Sequence, residues 1–160
     1  MQQFFLKTAF FPKMTGKMAE QLTELSHASR LLSDLNKRNY FAEMHVHHEP
    51  VYQVHPLFRE FLPSRAQSAF TRGDMSSLCL RAATLLEETG YTEDAVSLLR
   101  EASNWDGLVC LITKYAPIML AQGRNFPLGD WLNSFPMKIL ESNFWLLYWM
   151  GSCRLPFNPS

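Results

Sequence analysis

The chain has 160 residues, 47% hydrophobic and 19% charged, so a packed core is within reach and wholesale disorder is excluded. Up to Phe70 it carries eight basic and six acidic residues (+2), and after it seven and nine (−2). Neither half concentrates the positive charge that phosphate-backbone binding relies on, which argues against nucleic acid as a partner.

Cys79, Cys110 and Cys153 are too few and too scattered for a disulfide framework or a zinc knuckle. The opening Met1-Gln2-Gln3-Phe4-Phe5-Leu6-Lys7 lacks the basic and long apolar regions of a signal peptide. The most apolar run, Phe144 to Met150, falls well short of the roughly 18 to 20 residues of a membrane span. The expected setting is a soluble protein in the reducing cytoplasm, with no membrane partner.

In chain order, Phe4, Phe5, Ala9 and Phe10 give a short helical apolar face closed at Pro12. Thr15 is placed to cap a helix carrying Met18, Leu22 and Leu25. Ser26 or Ser29 is placed to cap a second, with Leu31, Leu32 and Leu35 inward, running out at Asn36 to Asn39. The period then changes: Tyr40 to Met44 and Val51 to Val54 favour β structure, around the polar turn His45-Val46-His47-His48-Glu49-Pro50. Pro56 opens a helix over Leu57 to Leu62. Helix, helix, hairpin, helix is the order of a winged-helix module.

From Met75 onward the pattern is helical throughout. Leu78, Leu80, Leu85 and Leu86 mark a helix that stops at Thr89-Gly90. Thr92, Glu93 and Asp94 start the next, which carries Ala95, Val96, Leu98, Leu99 and Ala102. Asn104 caps a third through Leu108, Leu111, Ile112, Tyr115 and Met119 to Gln122-Gly123, where the internal Pro117 predicts a kink or a split. Short helices follow around Leu128 to Phe135 and Ile139 to Cys153. Gly90 and Gly123 lie 33 residues apart, near the period of tetratricopeptide-like helix pairs. The expected fold is mainly α: a winged-helix domain over residues 1–70, then antiparallel helix pairs over 71–160. The array reads as truncated, since its most aromatic segment comes last and no polar capping helix follows.

Catalytic and ligand-binding chemistry is thin. His45, His47, His48 and His55 crowd into eleven residues, but with Glu49 as the one nearby carboxylate they make no standard metal site. Gly16-Lys17 lacks the preceding glycine and the following Ser or Thr of a phosphate loop. Ser76, Ser77, Ser103 and Cys110 sit outside any nucleophile turn, and Glu87-Glu88 and Glu93-Asp94 fall at helix ends where capping and solvation explain them. Trp105, Trp131, Trp145, Tyr148 and Trp149 have helical spacing and read first as packing between repeats, and second as a partner groove. No catalytic or metal residue is expected. His55, at the expected helix start after the hairpin, is the residue of interest: it either caps free backbone groups or faces an anion held by another domain.

Val51-Tyr52-Gln53-Val54-His55-Pro56-Leu57-Phe58 resembles the tyrosine-x-x-histidine-x-leucine-phenylalanine signature of the maltose-activator family, large STAND-class ATPases of the LuxR group. Phe4 to Ala9 is similar to the opening of that family's winged helix, and Leu31 to Phe41 to the stretch before its hairpin. Ala83 to Trp105 resembles the first helix pair that follows, and Leu146 to Phe157 the opening of the sensor region. The resemblance implies the middle of a regulator, without its nucleotide-binding and DNA-reading ends. It implies no cofactor in this chain, but ATP and ADP in the full-length relative. It further implies that His55 contacts ADP phosphates in that context, with the nucleotide-binding domain as partner and self-association as a possible state. The alternative expectation is a stand-alone winged-helix DNA-binding protein with a helical dimerisation tail; the Ser29 to Asn39 stretch, with Arg30, Lys37 and Arg38 offset by Asp34, offers it little charge.

Overall fold

A computed structural model describes residues 2–39, 41–46, 49–54, 65 and 68–154. The fold is mainly α, as expected, with one small antiparallel sheet. By contact the chain forms two compact units, Met1–Leu98 and Leu99–Ser160.

In the first unit, helix α1 spans Gln2–Thr8 and buries Phe4 and Leu6. Thr8 is buried too, its hydroxyl donating to the Phe4 carbonyl at 2.8 Å. Past the turn the buried aromatic is Phe11, while Ala9 and Phe10 are half-buried, so the apolar face expected to continue through them ends with the helix. Strand β1, Lys13–Thr15, was not expected from the sequence. Three residues are too few to show a period of two. Strands β2 (Phe41–Val46) and β3 (Glu49–Val54) form the expected hairpin, but each reaches further toward the turn, pairing His45 with Pro50 and Val46 with Glu49. β1 then adds to the other edge of β3, pairing Met14 with Tyr52, for a sheet of order β1-β3-β2. Val51 and Tyr52, neighbours that point to opposite faces, are both buried, as a central strand covered on both sides requires.

Helix α2 spans Gly16–Thr23, and Thr15 caps it as expected, its hydroxyl accepting from the Met18 amide at 3.2 Å. It ends at Thr23, two residues before Leu25, because Glu24 takes the left-handed conformation (φ 62°) and closes back on the Glu20 carbonyl. Helix α3 spans Ala28–Lys37 and buries Leu32 and Leu35, with Leu31 only half-buried. Neither Ser26 nor Ser29 caps it: His27 stands at the cap position and makes no side-chain cap bond. Ser29 instead donates to the Glu20 carboxylate at 2.7 Å, tying α3 to α2. The same serine crowds Gly16, where an added Cβ would lie 2.9 Å from the Ser29 Cβ and closer still to its hydroxyl. Gly16→Ala should therefore cost about 1–3 kcal/mol by overpacking, read as a lower denaturation midpoint with an unchanged slope. The helix expected over Leu57 to Leu62 lies outside the described residues.

Helix α4 spans Arg72–Glu88 and starts three residues before the expected Met75, because Thr71 and Asp74 form a capping box. Leu78 and Leu86 are buried, but Leu80 is half exposed and not part of the inner face. The stop at Gly90 holds, with φ 83° and the Tyr91 amide closing on the Leu86 carbonyl at 2.8 Å. Helix α5 spans Thr92–Glu101 and buries Ala95, Val96, Leu98 and Leu99; Ala102 lies past its end and is exposed.

In the second unit, helix α6 spans Trp105–Ala121, capped by Asn104, whose side-chain oxygen accepts from the Gly107 amide at 3.1 Å. The expected split at Pro117 does not occur. Pro117 is exposed, so the Thr113 carbonyl that loses its helical partner is on the solvent side, while buried Ile112, Ala116 and Met119 anchor both halves. Helix α7 spans Asn125–Asn133 and buries Leu128 and Leu132. The stretch expected as one helix up to Cys153 is two, α8 (Met137–Ser142) and α9 (Phe144–Arg154). Asn143 separates them by accepting, through its side-chain oxygen, from the Trp145 and Leu146 amides at 3.1 and 3.3 Å.

Candidate functional site

The residue singled out by the sequence, His55, lies outside the described residues, as do His47, His48 and Pro56. What the structure supplies is the strand that leads to it. β3 is the central strand of the sheet, and its last residue, Val54, pairs with Phe41. The backbone just before His55 is thus paired with β2 at Val54, and with both β1 and β2 one residue earlier at Gln53.

Around this strand the structure builds a polar seam that the sequence does not announce. Lys13, on β1, reaches Asp94 of α5 at 2.9 Å and sits over the Tyr91 ring at 4.3 Å. Arg81 of α4 pairs with Glu24 at 3.1 Å and donates to the Gln21 carbonyl at 3.0 Å, both at the end of α2. Thr89 donates to the Met18 sulfur at 3.7 Å. Asp94, expected to serve only as a helix-start acid, therefore also holds the sheet to the first helix pair. Sixty positions separate Arg81 from Gln21, and no local pattern could have paired them. The Lys13–Asp94 pair is about a third exposed, so it is worth only about 0.2–1 kcal/mol, with the ring contact adding a similar amount. The seam sets register; buried Met18, Ala19 and Leu22 on α2, with Cys79, Ala82 and Leu86 on α4, supply the larger stabilisation.

Other expected positions stay apart. His45 lies in β2, and among the described residues no three His, Cys, Asp or Glu side chains gather to hold a metal. Ser76 and Ser77 are exposed along α4, and Ser103 lies in the turn after α5 with φ 52°. A recess of about 190 Å³ lined by Asn125, Phe126, Asp130, Asn133, Met150 and Arg154 is smaller than the ~300–1,000 Å³ of small-molecule sites. Among the aromatics, Trp105 packs near Phe135 at 5.8 Å, but Trp145 and Tyr148 are half exposed and do not pack between repeats as first expected.

No disulfide joins the three cysteines, all of them among the described residues: Cys79 is buried, Cys110 exposed, and Cys153 intermediate, where burial pushes its pKa up. At neutral pH iodoacetamide should label Cys110 first, Cys153 more slowly with a rate that climbs only at more alkaline pH, and Cys79 last. Peptide mass mapping against time reads this order.

No helix among the described residues is long and apolar enough to cross a membrane. No curated protein matches the chain. Residues 1–73 match the family model of the MalT winged helix domain. That match spans the helix, helix, hairpin part of the chain, a little under half of its length, and is consistent with the middle segment of a MalT-like regulator.

Proposed function

We propose that this chain is a non-catalytic relay segment of a signal-responsive, ATP-dependent transcription activator. It couples a nucleotide-binding domain to a helical sensor region. The observation that carries the proposal is the seam between the winged helix and the first helix pair: residues 1–98 form one compact unit, held across the family match's end at residue 73 by Lys13–Asp94 and Arg81–Glu24. A relay needs such a body, since a displacement is passed on only by elements packed together.

In this proposal the winged helix, residues 1–70, meets the nucleotide-binding domain of the same regulator, and the tetratricopeptide-like pairs of residues 71–160 lead into the sensor. His55 reaches the ADP phosphates of that domain. The chain binds no cofactor alone, works in the cytoplasm, and meets neither nucleic acid nor membrane; self-association accompanies the active state. The stand-alone DNA-binding alternative would need a basic recognition helix. On α3, exposed Lys37 is paired with Asp34 at 3.6 Å, and Arg30 and Arg38 are the other exposed cations of that stretch.

Fluorescence anisotropy with labelled duplex DNA at low salt separates the two. The relay predicts nothing tighter than the non-specific range of about 10⁻⁴–10⁻⁶ M. Tight, salt-sensitive, sequence-dependent binding would overturn it.

A further inference from the structure

Helix α7 carries a glycine that packing does not explain. Gly129 lies in the middle of Asn125–Asn133, where glycine weakens a helix, yet a Cβ added to it meets nothing within 4 Å. The space it leaves open belongs to the recess of about 190 Å³ lined by α7 and α9. Asn125, Gly129, Asp130 and Asn133 reach that recess at helical spacing along α7, and Met150, Cys153 and Arg154 do so along α9. Leu128 and Leu132 are buried, and α7 packs on both α6 and α9, so the two walls are held in place. The volume is that of about six water molecules. It is too small for a drug-sized ligand and large enough for one free amino acid.

The lining is unusual in three further respects. The Asn125 side-chain oxygen is buried and accepts no hydrogen bond, a cost that a bound donor would remove. Asp130 and Arg154 line the same recess, both exposed, and form no ion pair with one another. Phe126, 87% exposed, and half-buried Met150 add apolar surface beside these polar groups. Such a lining discriminates by charge. A simple anion would meet the Asp130 carboxylate, and a simple cation the Arg154 guanidinium. A neutral polyol would leave both charges without a partner. A zwitterion answers both at once.

We propose that this recess binds one free α-amino acid with an apolar side chain of about leucine size. Arg154 takes the carboxylate through its paired N–H donors. The Asp130 carboxylate and the Asn125 side-chain oxygen accept from the ammonium group, and the side chain lies against Phe126 and Met150. Gly129 is glycine because a side chain there would occupy the ligand's space. The site lies wholly within residues 125–154 and does not depend on whether the winged helix meets a nucleotide-binding domain.

The probe is L-leucine, titrated into the 160-residue chain by isothermal titration calorimetry. A saturable heat is expected at millimolar concentration. N-acetyl-leucine, which lacks the ammonium, and leucinamide, which lacks the carboxylate, should each bind at least roughly tenfold more weakly. Iodoacetamide locates the site: leucine should slow labelling of Cys153, which lines the recess, and leave Cys110 unchanged. Gly129→Leu should abolish binding without lowering the melting temperature, since leucine favours the helix and its Cβ meets open space. The capped analogues use the unaltered chain, so their result stands whatever that variant does to folding. No saturable heat, a capped analogue that binds as well as leucine, or leucine binding that neither protects Cys153 nor responds to Gly129→Leu overturns the proposal.

Discussion

Leu86→Ala should destabilise the protein by about 2–5 kcal/mol, the range for truncating a fully buried leucine. Leu86 is completely buried in α4, between the stop that closes the helix and the stripe it shares with Cys79 and Ala83. The informative part is where the loss appears. α2 packs on α4, and Arg81, Thr89 and Asp94 tie the first helix pair to residues 13–24. Hydrogen exchange should therefore speed up in α2 and at the β1–β3 pairs as well as in α4. Exchange confined to residues beyond 73 would mean that the winged helix folds without the helix pair. Lys13→Ala, by contrast, removes only part-exposed contacts worth about 1 kcal/mol and should leave the exchange pattern nearly unchanged.

Leu132→Ala should cost a similar 2–5 kcal/mol. Leu132 is completely buried on α7, and α6, α7 and α9 all meet around that helix. Truncation there leaves a cavity that short helices cannot close without losing other contacts. The Trp105 ring, 5.8 Å from Phe135, reports it: emission should shift red at a lower denaturant concentration than in the parent chain. An unchanged midpoint would show that α7 is not part of the packed core of this unit.

The helical half was legible because its punctuation is chemical. Asn104 capping and the glycine stops at Gly90 and Gly123 work through local geometry that any reader of the sequence can apply. The hairpin was legible because its strands are rich in β-branched and aromatic residues. What escaped was set by distant packing. β1 is three residues long and exists because β3 offers it a free edge. Ser29 passes over a cap for the Glu20 carboxylate, and Arg81 finds its partners on the other side of the unit. Pro117 leaves its helix whole because the lost hydrogen bond faces solvent, a fact of burial and not of sequence. For the functional reading, the signature around His55 directed attention to the end of β3, whereas the seam that joins that module to the first helix pair is visible only in three dimensions.

The proposed relay is tested most directly by measuring binding of the 160-residue chain to the isolated nucleotide-binding domain of a MalT-like regulator, loaded with ADP or with an ATP analogue, by isothermal titration calorimetry. The account predicts binding to the ADP-loaded domain in preference to the ATP-loaded one. It also predicts a loss of about 1.5–3 kcal/mol in His55→Ala, the worth of a hydrogen bond to a charged group. Equal binding to both nucleotide states, or affinity that His55→Ala leaves untouched, would contradict it.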